Sequence, residues 1–155
     1  MCMRSLMAII FAVMISSGAL VSVAVSQDLV PLEQVLKRPK DQLEPSYPFV
    51  RCAAYYKSLL DYIGAKNLST ETVANSHQAA TLNGFAAAKL RASKRGGSPT
   101  DYVDQVMSDV GRIVSVYDAR MRNNYAVSGQ AFGGDPVITA DGATCKALTE
   151  GLAGR

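Results

Sequence analysis

His77 is the only histidine of the chain. On a helix it shares a face with Val73, Ala80, Gly84 and Ala87. A histidine so placed has two readings. It is the general base, or a ligand, of a site between helices. Or it is a packed or half-exposed helix residue, and one histidine with no identified partner favours this second reading. The base reading implies a small exported hydrolase acting through His77. No serine sits in a Gly-x-Ser-x-Gly elbow to complete such a site.

Cys52 and Cys145 are the next residues that could do chemistry. Neither belongs to a Cys-x-x-Cys pair, and no two histidines stand four apart, so a metal centre is not expected. Cys-x-x-Cys-His is absent, which excludes covalent c-type haem by motif. The alternating acids of a calcium loop are missing around Asp135 and Asp141. No cofactor is implied. In an oxidising compartment the pair reads as one intramolecular disulfide. Such a bridge would tie an early helix to the last one.

Tyrosine is in excess for so small a chain. Tyr55, Tyr56 and Tyr62 fall on one helix, and Tyr102 and Tyr117 on another. Ring and hydroxyl together can line a groove that grips a peptide or a small apolar ligand. These five mark the candidate binding surface. The plainer reading puts them at the border of a small core.

The compartment argument rests on the N-terminus. Met1 to Arg4 is a short basic start. Leu6 to Val25 is apolar and uncharged, and Ala24-Val25-Ser26 places small residues before Gln27. This is the pattern of a cleaved secretory signal peptide over residues 1–26. The alternative is an uncleaved anchor, which would make the protein a membrane-held accessory subunit. Either way the remainder is expected outside the cytoplasm, in the periplasm or beyond the cell, and the short start favours a bacterium.

Four elements must position these residues. Residues 27–48 carry four prolines and predict an extended arm with one helical turn at Leu32 to Lys37. The helical domain then covers residues 49–155. A first helix runs from Pro48 to Ile63, closed by Gly64. A second runs from Thr70 to Lys94, with Ser69 as its cap, Gly96-Gly97 as its stop and a basic end at Lys89, Arg91, Lys94 and Arg95. A third starts at Ser98-Pro99-Thr100-Asp101 and carries an apolar stripe from Tyr102 to Met121. It ends near Asn123-Asn124. Asp109 with Arg112, and Asp118 with Arg122, are expected as pairs on its wet side. A loop over 126–138 leads to a last helix from Ala140 to Leu152. No segment alternates as a strand would. The expected fold is all-α, a small bundle of about four antiparallel helices stapled by one disulfide.

Composition narrows the function. The chain has 155 residues, 48% of them hydrophobic, with Lys+Arg 16 against Asp+Glu 13. So mild a charge, with Trp 0, does not suit a nucleic-acid binder. The expectation is an exported, non-enzymatic helical module that binds a protein or an envelope component. The membrane enters only through the N-terminal segment, and the oligomeric state is not read from these residues. The layout resembles that of small bacterial envelope proteins, and no motif in it names a family.

Overall fold

The computed structural model describes residues 29–154. The signal segment over 1–26, its cleavage point before Gln27 and the anchor alternative lie outside them. The described chain is all-helical. It holds α1 (Leu32–Leu36), α2 (Tyr47–Ile63), α3 (Thr70–Arg95), α4 (Val103–Ser128) and α5 (Pro136–Ala153). The four long helices form an antiparallel bundle, and α2 packs against α3, α4 and α5.

Local chemistry sets the ends of each helix. α2 has a proline in its first turn and stops at Gly64, where φ is +78°. That backbone conformation suits glycine. Ser69 Oγ accepts the Thr72 amide at 3.1 Å and opens α3. A capping box at Ser98 and Asp101 opens a 3₁₀ turn over Pro99–Tyr102, which runs on into α4. Asp135 Oδ1 accepts the amides of Val137 (2.9 Å) and Ile138 (3.0 Å) at the head of α5.

Two boundaries differ from the sequence expectation. α4 continues past Asn123-Asn124 to Ser128 and stops at Gly129 in the left-handed region. Asn124 does not break the helix. Its side-chain amide reaches forward to the carbonyls of Ala131 (3.2 Å) and Gly133 (3.0 Å), so it ties down the following loop. α5 begins at Pro136 rather than Ala140, because Asp135-Pro136 is an N-cap followed by a first-turn proline.

The main core lies between α2, α3 and α4. Val106, Val110, Val114, Tyr117 and Met121 line the inner face of α4. They meet Val50, Ala53 and Ala54 of α2 and Ala87 and Ala88 of α3. The alanines let the backbones approach but bury little area each, at ~25 cal/mol per Å². A second cluster gathers round Cys52 and Cys145, which form a disulfide with Cα atoms 5.2 Å apart.

The arm is not a free linker. Leu32 and Val35 of α1 are buried on the disulfide, together with parts of Leu43, Tyr47 and Leu148. Val30 and Leu36 stay exposed.

Candidate functional site

Two places in the bundle depart from simple apolar packing. One is a buried polar centre, and the other is an open apolar groove.

The polar centre joins four elements. Arg51 of α2 and Asp141 of α5 are both fully buried. Arg51 donates to Asp141 Oδ2 from Nε (2.9 Å) and Nη2 (2.6 Å). Nη2 also donates to the Val30 carbonyl at 2.6 Å. Asp141 Oδ1 accepts the Leu32 amide at 2.7 Å. Tyr117 of α4 donates its hydroxyl to Asp141 Oδ2, and that hydroxyl accepts from Arg51 Nε at 3.2 Å. Burial and the Asp141 carboxylate push the Tyr117 hydroxyl well above its ordinary pKa. It stays protonated and donates. A buried ion pair with its remaining lone pairs filled is a structural device. Its three side chains are buried, and it holds the arm to α2 and α5 by the arm's own backbone.

The groove lies between α3 and α4, with α2 as its floor, and encloses about 410 Å³. Ala53 and Leu60 form the floor. Ala80, Gly84 and Phe85 form one wall, and Val103, Val106, Met107 and Val110 the other. Phe85, Val103 and Met107 are 58%, 41% and 50% exposed, so large apolar side chains border this opening without cover. Gly84 deepens it. A Cβ added there would meet no atom within 4 Å, so no close packing requires glycine at this helical position. Lys57, Asp61 and His77 are the titratable side chains of the lining.

His77 therefore stands exposed on α3 at the edge of this groove. Among the described residues its side chain makes no hydrogen bond to a carboxylate or hydroxyl that would orient it as a base. Three of the five tyrosines are brought together and two stand apart. Tyr55 packs edge-on against Tyr56 (5.5 Å) and Tyr117 (5.8 Å). Tyr62 packs on Phe132 at 5.7 Å, beside the loop before α5. Tyr102 donates to the Gly96 carbonyl at 2.9 Å and braces the α3–α4 turn. Tyr117 is wholly buried and offers no surface. None of the five lines the groove.

A wider trough of about 1070 Å³ runs along the opposite side of α4. Its arginines are already engaged. Arg91 donates to Ser46 Oγ (3.0 Å) and Asp109 (2.6 Å). Arg112 also reaches Asp109, Arg120 pairs with Asp135 at 2.6 Å, and Arg95 donates to Gln105 at 3.2 Å. The basic end expected on α3 is thus divided, because Arg91 turns inward and is buried. Asp118 departs from its expected pairing with Arg122, and its Oδ1 is buried without a hydrogen-bond partner. Burial, with Asp61 nearby, raises its pKa.

Among the described residues, no three His, Cys, Asp or Glu side chains gather to hold a metal ion. No described helix is long and apolar enough to cross a membrane. No family model, curated protein or solved structure matches the chain.

The groove was missed in the sequence because α3 carries no apolar stripe. Its face is built from Ala80, Gly84 and Thr81, with Phe85 standing alone. The signal was there in part. His77, Ala80 and Gly84 fall on one face of α3, and Val103 and Met107 belong to the apolar stripe of α4.

Proposed function

We propose that this chain is an exported, non-enzymatic binding module, and that the α3–α4 groove receives an apolar group of its partner or envelope ligand. The observation that carries this is the exposure of Phe85, Val103 and Met107 around one concavity. Exposed apolar side chains rimmed by polar ones mark binding sites more often when they surround a hollow than when scattered. Gly84 adds to the argument. A mid-helix glycine costs ~1 kcal/mol relative to alanine, and here its visible effect is to keep the hollow open.

Titration with the apolar dye anilinonaphthalene sulfonate tests the groove. One dye per chain is expected, with Gly84→Leu and Phe85→Ser each weakening binding at least tenfold while the helical circular dichroism is unchanged. No dye binding by the folded protein overturns the reading. Export is tested apart from the groove, by the intact mass of the protein recovered outside the cytoplasm. A start at Gln27 supports it, and recovery of the whole protein from the cytoplasm overturns it.

A further inference from the structure

We infer that the occupant of the α3–α4 groove is a fatty acid, its hydrocarbon chain against Phe85, Met107 and Gly84 and its carboxylate at Lys57 and His77. The inference rests on the groove reading above.

The size of the apolar opening favours a chain over a protein surface. A stable protein interface needs about 800 Å² from each partner. Here three uncovered apolar side chains, Phe85, Val103 and Met107, border the hollow, and Tyr125 and Val127 of α4 are exposed away from it. Around it the outward residues are polar, such as Gln78 on α3 and Asp104 and Ser108 on α4. A volume of about 410 Å³ lies instead in the range of small-ligand sites.

The shape of the groove favours a linear ligand. On α3 the lining runs from His77 to Phe85, and on α4 from Val103 to Val110. At 1.5 Å per residue these walls are about 10–12 Å long. An extended unbranched chain of about that length can lie along them.

Charge orients that chain. The titratable lining residues are Lys57, Asp61 and His77. α2 and α3 are antiparallel through a short turn, so Lys57 and Asp61 lie toward the His77 end. Phe85 and Met107 occupy the other end. The Lys57–Asp61 pair is about half exposed, at 3.0 Å. An exposed i,i+4 pair contributes little stability, so Lys57 can exchange Asp61 for a ligand carboxylate without loss to the fold. His77 supplies a second nitrogen on the facing helix. Lys57 and His77 are the nitrogen-bearing side chains of the lining and can share an anionic head, with Asp118 also near the Lys57–Asp61 pair.

Calorimetric titration with decanoate, octanoate and decanol, each below its micelle concentration, tests this. One decanoate should bind per chain. Octanoate should bind about fifteenfold more weakly, since each buried methylene contributes roughly a factor of four. Lys57→Met should weaken decanoate at least fivefold and leave decanol unchanged. Gly84→Leu should remove both, with Phe85→Ser as the independent check on the wall. If the dye binds and decanoate neither binds nor displaces it, the fatty-acid assignment is overturned and the groove reading stands. If decanol equals decanoate and Lys57→Met changes neither, the carboxylate contact is overturned. If the dye also fails to bind, both readings fall together.

Discussion

Arg51 and Asp141 meet through two guanidinium nitrogens and one carboxylate oxygen, at 2.9 and 2.6 Å, with both side chains fully buried. Removing one partner leaves the other charge buried and unpaired, which costs ~3–5 kcal/mol. Arg51→Met and Asp141→Ala should each lower stability by about that amount in chemical denaturation. The double variant should lose clearly less than the sum, because the pair acts as a unit. Additive losses would show that the two groups do not interact. Asp141→Ala also removes the acceptor for the Leu32 amide, so limited proteolysis should then cut between residues 29 and 46.

The disulfide closes a sequence separation of 93 residues. In the chain-entropy model a loop of that order is stabilising by about 4–5 kcal/mol, and removal of native bridges typically costs ~2–5. The Cys52→Ala, Cys145→Ala variant should show a loss in that range. Both cysteines are fully buried. Thiol labelling in reductant should therefore be slow in the native protein and fast in guanidinium. Rapid labelling without denaturant would contradict the packing of α1 over the bridge.

Acid should act on the bundle in two opposed ways. Burial alone would raise Asp109, but hydrogen bonds from Arg91 and Arg112 outweigh it and hold its carboxyl below the ordinary range. Asp135 is also lowered, by Arg120 and the α5 amides, against the same burial effect. A depressed carboxyl contributes stability that is present above its unfolded pKa, near ~3.9, and is lost as pH falls through the folded value. Asp118 is raised, so its ionisation costs stability as pH rises above ~3.9. The net expectation is a loss of stability below pH ~4. Asp109→Asn should flatten that loss, and Asp118→Asn should make the protein more stable at neutral pH. Denaturation midpoints across the pH range read both effects.

Two glycines should respond oppositely to alanine. At Gly84 a Cβ meets nothing within 4 Å, so Gly84→Ala should stabilise by ~0.5–1 kcal/mol through helix propensity. At Gly142 a Cβ would lie 2.6 Å from the Tyr55 hydroxyl. Tyr55 is wedged between Tyr56 and Tyr117 and cannot retreat freely. Overpacking of this kind costs ~1–3 kcal/mol, so Gly142→Ala should lower the melting temperature. A rise for both variants would show that Tyr55 repacks.

Much of the bundle was legible because its signals are local. Ser69, Gly64, the Ser98 to Asp101 box and the valine stripe of α4 each act within one or two turns. The disulfide was legible from the expected compartment and the cysteine pair alone. Asp135-Pro136 falls in the loop expected over 126–138, when the same two residues make a helix start. The Arg51–Asp141–Tyr117 centre was not legible, since its members lie on three helices far apart in sequence. One clue was available. Arg51 adjoins Cys52, and Asp141 precedes Cys145 by about one turn, so the bridge that sets α2 against α5 also sets these charges face to face. The groove escaped because small residues such as Ala80 and Gly84 form no apolar stripe, and here they border empty space.

The ties that close the molecule all end on α5. Arg51 reaches Asp141 across 90 residues, Cys52 reaches Cys145 across 93, and the Leu32 amide reaches Asp141 across 109. Contacts so distant in sequence must wait for the chain between them to be ordered. A chain emerging from its N-terminus can pair α2 with α3 and then α4, yet α1 lacks its Asp141 anchor, and Cys52 its bridge, until the final helix arrives. A truncation before Asp141 would therefore free both ends of the molecule at once.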